Sequence, residues 1–492
     1  MRTDPSRSQV GPMLQPSTPS STREHVVPVM AGDRSPVLVE VDLTRDADTE
    51  VTRTAFVELY AELFSTERVP VRIAASYLRC LLSPEEIQRL LRRDRESGRP
   101  TVFRVWPDYT LEAHIDRSVS TIKADAVARC YGASGEGVVW AVMDSGIDEH
   151  HPHFAGGTLG GQAAALHRDF TALVPGEDPV GGLDRPLADP EGHGTHVAGI
   201  IAGALPGGTV PLITHLEQIG GLPVRKTREL TEGRTLRGIA PRTRLVSLKV
   251  LAQRGSSLVT SSSAVIEALY YLREKVNTGG RMLVVHGVNL SLGCPWDASE
   301  YACGQSPVCR EVNLLAASGV VVVVSAGNGG FGTRLPGEGG TDARGVLASI
   351  TDPGNADGAI TVGSTHRDRP HEYGVTYNSS KGPTLDGRLK PDLLAPGERI
   401  TSCATGSLTG DLTGLLPEGS SGTAVYTELS GTSMAAPHVS GAVAAFLSVR
   451  SEFIGRPREI KELFCANATS LGRDRYLEGH GLLDLMRVMS AV

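Results

Sequence analysis

The chain has 492 residues, of which 40% are apolar and 5% aromatic, and its formal net charge is −7. A chain of this length predicts two or three domains with a sizeable core. The slightly acidic balance and the lack of a basic tract exclude the electrostatic signatures of nucleic-acid binding and of attachment to a membrane surface, so we expect neither partner.

The N-terminal segment, residues 1–36, is rich in Pro, Ser, Thr and Arg, as disordered segments are. It lacks the apolar stretch of roughly 7–15 residues that a secretory signal needs, and no segment has the roughly 18 apolar residues of a membrane span. Seven cysteines, an odd number, favour a reducing compartment. We therefore expect a cytoplasmic protein. A disulfide between Cys303 and Cys309, which are close in sequence, remains an alternative.

A small α/β module is predicted over residues 37–110. Val37–Leu43 and Thr101–Val105 have strand-like patterns, and Arg53–Leu63 has apolar residues at helical spacing. A second helix is predicted after Ser83, because the sequence SPEE is a capping box with proline at the first helical position. The module has too few apolar residues to be very stable alone.

A larger α/β unit is predicted over residues 111–492, where apolar strands alternate with helices. Such strands form a mostly parallel sheet that is covered by helices on both faces. Ligands of these folds bind at the carboxyl ends of the strands, where Asp144 and Asn328 lie. The predicted strands are Val138–Met143, Leu245–Val250, Leu283–Leu290, Val320–Ser325 and Ile360–Gly363, and the predicted helices are one that begins near His193, Ser262–Val276, Glu311–Ser318 and Ser433–Arg450.

Three short segments of this unit carry residues suited to amide hydrolysis. A serine nucleophile needs a base that takes its proton and an acid that orients the base. Histidine, with a reference pKa of about 6.5, can accept that proton and return it to the leaving amine. Asp144, His193 and Ser433 supply one candidate for each role. They lie in DSGID (144–148), HGTHVAG (193–199) and GTSMAAPHV (431–439).

Each of these residues, taken singly, also has an ordinary structural explanation. Asp144 could form a turn at a strand end, His193 could cap a helix or lie in the core, and Ser433 could be a helix N-cap. Together the segments closely resemble the catalytic segments of the subtilase superfamily of serine proteases. The resemblance runs from about Ile122 to Leu485. It includes GIAP (238–241), LKVL (248–251), NLSLG (289–293), SAGN (325–328), SSKGP (379–383) and KPDLLAPG (390–397).

The resemblance implies a serine endopeptidase with the doubly wound α/β fold of subtilisin. Asp144 would orient His193, His193 would act as general base, and Ser433 would attack the scissile carbonyl. Asn328 and the backbone N–H of Ser433 would bind the oxyanion.

Protein and peptide substrates are the implied partners, and the resemblance assigns their binding to one strand. Ser291, Leu292 and Gly293 would pair with the extended substrate by strand addition. His196 lies three residues after the predicted base, but no third metal ligand is near in sequence, so we interpret it as structural, as we do His438. We expect no metal and no cofactor.

The N-terminal module resembles the inhibitory propeptide of subtilases, a small ferredoxin-like α/β domain, through the sequence LSPEEI (82–87). The resemblance implies that it assists folding, inhibits the enzyme and is removed by self-cleavage between about Tyr109 and Arg117, upstream of STIKA (120–124). An unrelated accessory domain and a chain that works unprocessed remain alternatives.

Several segments depart from the family pattern. His153 stands where many subtilisins place a calcium-binding aspartate, and Leu205–Leu236 replaces the short calcium loop, so we expect no tight calcium site there. Gly161–Asp189, Leu205–Leu236 and Thr405–Glu428 are predicted to be loops that would narrow the cleft.

Two rival functions and the substrate preference depend on the same site. One rival is a subtilase fold that binds peptides without cleaving them, against which the complete triad argues. The other is an esterase or transpeptidase that uses the same acyl-enzyme. Glycines 329 and 330 follow Asn328, with no acidic residue, which favours a neutral or apolar side chain at P1, the acyl side of the scissile bond.

Overall fold

The computed structural model describes residues 34–42, 49–64, 68–72, 77–107, 115–174, 185–219, 222–228, 230, 236–254, 257–278, 283–295, 302–333, 343–410 and 423–492. It divides into two compact units, one up to Ala113 and a larger one that comprises His114–Ile219 and Pro223–Val492. The disorder predicted for residues 1–36 concerns, up to residue 33, residues outside the described part of the chain. The last two residues of that segment, Ser35 and Pro36, were predicted wrongly, because they begin the first strand.

The N-terminal unit is a four-stranded antiparallel sheet, in the order β2-β3-β1-β4, with two helices. Alternate side chains of its strands, such as Val37 and Val39, are buried with Phe56 and Leu90 of the helices, which confirms the predicted small α/β module. The elements are β1 (Ser35–Val41), α1 (Thr49–Phe64), β2 (Val71–Arg72), β3 (Tyr77–Leu82), α2 (Pro84–Glu96) and β4 (Val102–Pro107).

The capping box predicted at the second helix is formed. Ser83 Oγ accepts a hydrogen bond from the backbone N of Glu86 at 3.3 Å, and the Glu86 carboxylate accepts one from the backbone N of Ser83 at 2.9 Å. Arg34 and Arg68 both pair with Glu86 at 2.8 Å, and the pKa of Glu86 is lowered to about 2, because these hydrogen bonds outweigh the effect of burial.

The larger unit is built on a seven-stranded parallel sheet in the order β17-β16-β13-β12-β5-β9-β6. This confirms the predicted parallel sheet. Its strands are β5 (Val139–Asp144), β6 (Arg168–Asp169), β9 (Arg244–Lys249), β12 (Gly287–Leu290), β13 (Val321–Ser325), β16 (Ala359–His366) and β17 (Leu393–Glu398).

Both faces of this sheet are covered. Trp140 and Val142 of β5 are buried in one core, whereas Val139, Ala141 and Met143 of the same strand are buried in the other. A strand with two buried faces has a continuous apolar sequence, and this pattern predicted five of the seven strands. Strands β6 and β17 were not predicted.

The helices of the larger unit include the two that the sequence placed at His193 and Ser433. The 18-residue helix α10 has a mean hydropathy of 1.2 and is 83% buried inside the unit, so a helix of membrane-spanning length and composition serves here as a core helix. The helices are α3 (Ile115–Thr121), α4 (Ala124–Tyr131), α5 (His193–Ile201), α6 (Ser262–Tyr271), α7 (Pro307–Ala317), α8 (Pro370–Tyr373), α9 (Ser407–Gly410), α10 (Thr432–Val449), α11 (Pro457–Ala466), α12 (Arg475–Glu478) and α13 (Leu485–Ser490).

The prediction that Leu205–Leu236 is a loop is wrong. It contains two strands of a second, four-stranded sheet in the order β18-β19-β7-β8, where Thr214 Oγ1 donates to Thr427 Oγ1 at 3.0 Å. Its polar composition suggested a loop, but strands outside a doubly covered sheet also carry polar side chains. The strands are β7 (Leu212–Ile219), β8 (Leu222–Arg228), β18 (Ile400–Cys403) and β19 (Val425–Leu429).

The other two predicted loops are only partly irregular. Gly161–Asp189 supplies the edge strand β6, and Thr405–Glu428 supplies α9 and most of β19. Residues 175–184 and 411–422 of these segments lie outside the described residues. Two hairpins complete the unit, β10 (Ala252–Arg254) with β11 (Ser257–Val259) and β14 (Phe331–Thr333) with β15 (Ala343–Gly345).

Candidate active site

Asp144 and His193 form a hydrogen-bonded pair at the carboxyl end of the parallel sheet. Asp144 is the last residue of β5, and its Oδ1 accepts hydrogen bonds from His193 Nδ1 at 2.7 Å and from the Ser145 backbone N at 2.8 Å. The carboxylate is 1% exposed and the imidazole 22%. The bond fixes the tautomer with the proton on Nδ1, so His193 Nε2 is left as the basic nitrogen.

The electrostatic surroundings of His193 favour its protonated form. Burial lowers the pKa of the imidazole, but the charge and hydrogen bond of Asp144, with a further contribution from the Asp189 carboxylate, outweigh burial and raise the pKa. A base with a raised pKa accepts a proton more readily, which suits the role that the sequence assigned to His193.

Gly192 allows the chain to enter helix α5 beside the site. Its φ of 86° lies in the left-handed region, and a Cβ there would come within 2.4 Å of the Thr405 carbonyl oxygen. A larger residue would therefore displace the start of the helix that carries His193.

Ser433 is the second residue of α10, a helix that packs against α5. Ser433 Oγ donates to the backbone oxygen of Ser291 at 3.3 Å, and Ser291 Oγ donates to the backbone oxygen of Ser433 at 2.8 Å. Within the described part of the chain, no hydrogen bond joins Ser433 Oγ to His193. The 3.3 Å bond to Ser291 is long for a hydroxyl donor, so it holds Ser433 Oγ only weakly. A hydrogen bond between a catalytic serine and its base commonly forms or tightens only when substrate binds.

Asn328 is held in one orientation beside the candidate nucleophile. Its Oδ1 accepts from the backbone N of Thr432 at 2.9 Å and from Thr432 Oγ1 at 3.1 Å. Asn328 is exposed, and since its oxygen is engaged, its amide Nδ2 can donate to a developing negative charge. The structure therefore brings Asn328 close to the start of the helix that carries Ser433, and their oxyanion role stays a prediction.

The predicted substrate-binding segment extends past the end of β12. Ser291 is buried, Leu292 is half-buried and Gly293 is exposed. Among the described residues, no hydrogen bond is made by the backbone of Leu292 or Gly293, so their N–H and C=O groups are available to an extended peptide.

Thr351 lies between this segment and the one that leads to Asn328. A Cβ added at Gly293 would come within 2.4 Å of Thr351 Oγ1, and a Cβ added at Gly327 would come within 2.7 Å of the same atom. Thr351 therefore packs against both glycine backbones, at a position that the sequence did not single out.

His196 and His438 are buried imidazoles that bond to the backbone. His196 Nε2 donates to the carbonyl oxygens of Ile400 at 3.1 Å and Thr427 at 3.2 Å, and His438 Nδ1 donates to Met434 O at 2.8 Å. Burial lowers the pKa to about 3 for His196 and about 4 for His438, so both are neutral near pH 7.

His153 does not fit a calcium site. Its Nδ1 accepts from the Tyr426 hydroxyl at 3.1 Å and its Nε2 donates to Ala202 O at 3.2 Å, while burial lowers its pKa to about 3. Calcium requires oxygen ligands, several of them carboxylates. Among the described residues, no group of three or more His, Cys, Asp or Glu side chains is arranged to hold a metal ion.

All seven cysteines are free thiols, so the alternative disulfide between Cys303 and Cys309 is not formed. Cys309 is buried, and burial raises the pKa of its thiol.

Sequence reasoning missed Asp189, a buried carboxylate four residues before His193. It accepts hydrogen bonds from Ser145 Oγ, Gly192 N and both donors of Thr195. An acidic residue just before a predicted helix is a recognisable capping signal, which could have identified it.

Comparison with known proteins agrees with this geometry. The sequence profile of the subtilase family matches residues 135–482, which include all of the site described above. Similar proteins include an intracellular serine protease of Paenibacillus polymyxa, 29% identical over 378 residues, which cover 76% of this chain and 86% of that protein.

Two further relatives show the same range of similarity. The major intracellular serine protease of Bacillus subtilis (strain 168) is 29% identical over 358 residues, 72% of this chain and 83% of that protein. Subtilisin Savinase of Lederbergia lenta is 28% identical over 367 residues, 74% of this chain and 95% of that protein. The chain belongs to the subtilase family and is a serine endopeptidase.

Proposed function

We propose that the chain hydrolyses peptide bonds in proteins through an acyl-enzyme on Ser433, with His193 as general base and Asp144 as the residue that orients it. The observation that carries this assignment is the 2.7 Å hydrogen bond between Asp144 Oδ1 and His193 Nδ1. It leaves His193 Nε2 free to take the Ser433 proton, and the Asp144 carboxylate stabilises the imidazolium that results.

Asn328 and the start of α10 would stabilise the tetrahedral intermediate. The Asn328 Nδ2 amide and the backbone N–H of Ser433 are the two proposed oxyanion donors. The amide needs no reorientation during the reaction, because its oxygen is fixed by Thr432. The positive end of the α10 dipole adds a smaller contribution of the same sign.

The reaction then proceeds in two halves. Ser433 Oγ attacks the carbonyl carbon while its proton passes to His193, and the imidazolium returns the proton to the leaving amine as the C–N bond breaks. Water next gives a proton to His193 and attacks the acyl carbon, and the imidazolium returns that proton to Ser433 Oγ as the ester bond breaks. The products are an amine and a carboxylic acid, and the enzyme is regenerated.

A small, neutral P1 side chain is the proposed preference. With the acyl oxygen at Asn328 and the substrate strand along Ser291–Gly293, the P1 side chain would enter the space between Gly293 and Gly327. Thr351 contacts both of these glycines and supplies no charge there. A branched or aromatic P1 side chain would therefore meet the Thr351 side chain.

We propose that residues 37–110 are a propeptide-like domain that this protease removes, leaving residues 111–492 as the catalytic domain. The compact N-terminal unit with its own core, and the capping box at Ser83, support this. Cleavage would fall between about Tyr109 and Arg117, a window whose residues up to 114 lie outside the described part. Two relatives are named as intracellular proteases, which supports a cytoplasmic location.

The proposed mechanism is tested by purifying the wild type beside Ser433→Ala and Ser430→Ala. Ser430 is an exposed serine three residues before the nucleophile, whose Oγ accepts from Arg399 N, so it is a matched control. We expect casein cleavage by the wild type and Ser430→Ala, and loss of at least about 10³-fold in Ser433→Ala.

Other outcomes identify the rival functions. Binding of casein without cleavage by the wild type would indicate a peptide-binding protein. Hydrolysis of an ester substrate without cleavage of casein would indicate an esterase. Activity of Ser433→Ala within about tenfold of wild type would contradict the proposed nucleophile.

Processing is tested by intact-mass measurement of the same two proteins. The wild type is expected to yield a fragment that begins between Tyr109 and Arg117, whereas Ser433→Ala stays full length. Full-length masses for both, with an active wild type, would refute self-cleavage and leave the N-terminal unit as a permanent domain.

A further inference from the structure

Asp189 is the most extensively bonded carboxylate next to the catalytic pair. It is 5% exposed. Its Oδ1 accepts hydrogen bonds from Ser145 Oγ and Gly192 N, both at 2.9 Å, and its Oδ2 accepts from Thr195 N at 2.8 Å and Thr195 Oγ1 at 2.7 Å. Gly192 and Thr195 flank His193 at the start of α5, so Asp189 satisfies donors that a helix start leaves unpaired.

The same carboxylate reaches the Asp144 side of the pair through Ser145. The Ser145 backbone N donates to Asp144 Oδ1, the oxygen that also accepts from His193 Nδ1. Ser145 Oγ donates to Asp189 and accepts from Gly194 N at 2.9 Å. One carboxylate thus connects the strand end that carries Asp144 to the helix that carries His193.

A second bond joins the same two segments. Thr195 Oγ1, which donates to Asp189, accepts from the backbone N of Asp148 at 2.9 Å. A shift of Asp189 would therefore be transmitted to the loop after Asp144 and to the first turn of α5 together.

Among the described residues, two carboxylates act on the charge of His193. Asp144 and Asp189 are the two carboxylates that raise its pKa, and the neutral His196 lies one turn further along α5. A cation of the described residues, Lys249, lies close to Asp189, since its Nζ donates to Ala188 O at 2.7 Å. Removal of the Asp189 charge would leave Asp144 as the single carboxylate that stabilises the imidazolium.

We propose that Asp189 is a positioning residue of the peptidase reaction, which fixes the distance and angle between His193 and Asp144 from both sides. This inference rests on the proposed function of the same pair. Among the described contacts, Asp189 bonds neither to the His193 ring nor to Ser433. It therefore acts through Ser145 and the backbone around His193.

The test compares Asp189→Asn with Asp484→Asn by steady-state kinetics over a pH series. Asp484 is a matched control, because it is 2% exposed, caps helix α13 through Arg487 N and bonds to Thr469, away from the site. In Asp189→Asn the side-chain NH₂ group faces backbone N–H donors, with which it cannot form a hydrogen bond. We expect kcat to fall by about 10- to 100-fold with KM nearly unchanged, as for a misplaced catalytic group.

The pH profile separates positioning from a loss of fold stability. Removal of the negative charge lowers the pKa of His193, so the acid limb of kcat/KM is expected to move to lower pH in Asp189→Asn and to stay in place in Asp484→Asn. The inference would be overturned if Asp189→Asn had the wild-type kcat and the wild-type acid limb of kcat/KM. It would also be overturned if both variants lost kcat equally while the acid limb stayed at the same pH.

If Asp189→Asn does not fold, Ser145→Ala tests the same connection, since it keeps the charge and removes only the hydroxyl between Asp189 and Asp144. A fall in kcat at unchanged KM supports the inference, and wild-type kcat overturns it. The proposed function fails separately, because a wild type that does not cleave casein would refute it whatever the variants do.

Discussion

Acidification is expected to destabilise this protein through three buried histidines, His153, His196 and His438. Their pKa values are lowered to about 3, about 3 and about 4, because burial penalises the charged imidazole. In the unfolded chain the histidine pKa is about 6.5. Below that pH, unfolding takes up one proton at each site, so stability falls as the pH falls from about 6.5 towards the folded pKa.

The size of the effect follows from these differences. One pKa unit corresponds to about 1.4 kcal/mol, so each of the three histidines costs about 2 kcal/mol of stability at pH 5. Together they cost about 6 kcal/mol, which is comparable with the lower end of the stability of an ordinary domain, about 5–15 kcal/mol. His193 acts with the opposite sign, because its raised pKa gives a contribution that is present below pH 6.5 and is lost as the pH rises through the folded value.

The assay is urea unfolding between pH 7 and pH 5. It uses the Ser433→Ala protein, because this variant cannot digest itself. His438→Gln in this background should reduce the slope of unfolding free energy against pH by about 1.4 kcal/mol per pH unit. Val439→Ala, a buried neighbour on the same helix, should lower stability equally at every pH. A slope that His438→Gln leaves unchanged, or stability that is constant between pH 7 and pH 5, would refute this reasoning.

Three further changes have defined outcomes. Asn328→Ala should lower kcat by roughly 10²–10³-fold with little change in KM, a magnitude taken from removal of the oxyanion-binding asparagine of the related enzyme subtilisin, and an unchanged kcat would place the oxyanion elsewhere. Thr351→Gly should raise kcat/KM for peptides with Leu at P1 relative to Ala by about tenfold or more, and a constant ratio would exclude contact with P1. Removal of calcium with EDTA should not lower the melting temperature through a site at His153, since both ring nitrogens of His153 are bonded within the protein. A calcium titration that assigns a large shift in melting temperature to that position would contradict this.

The parts of the fold that the sequence predicted are those with an unambiguous local pattern. The apolar run Val138–Met143 predicted the strand Val139–Asp144, which is buried on both faces, and SPEE at Ser83 begins a helix. The polar strands β7 and β8 were missed. Strand β7 is placed by its pairing with β19, in which Leu212 aligns with Val425, and a partner so distant in the chain leaves no local pattern.

In the candidate site, too, the residues that the sequence predicted are those with a recognisable local motif. Asp144, His193, Ser433 and Asn328 lie in short motifs whose residue types match one chemistry. Ser145 and Thr351 contact residues distant in sequence, so no local pattern indicates them. Asp189 has the local signal of a helix cap, but its 2.9 Å bond to Ser145 forms only in the folded chain.

The most direct test of the account is covalent labelling of the full chain with a fluorophosphonate, followed by peptide mapping. Such a reagent reacts with a serine only where a base activates it. We expect one modified residue, Ser433, with labelling abolished in Ser433→Ala and in His193→Ala. Modification of another serine, or of no serine in a protein that cleaves casein, would contradict the proposal that Ser433 is the nucleophile activated by His193 and Asp144.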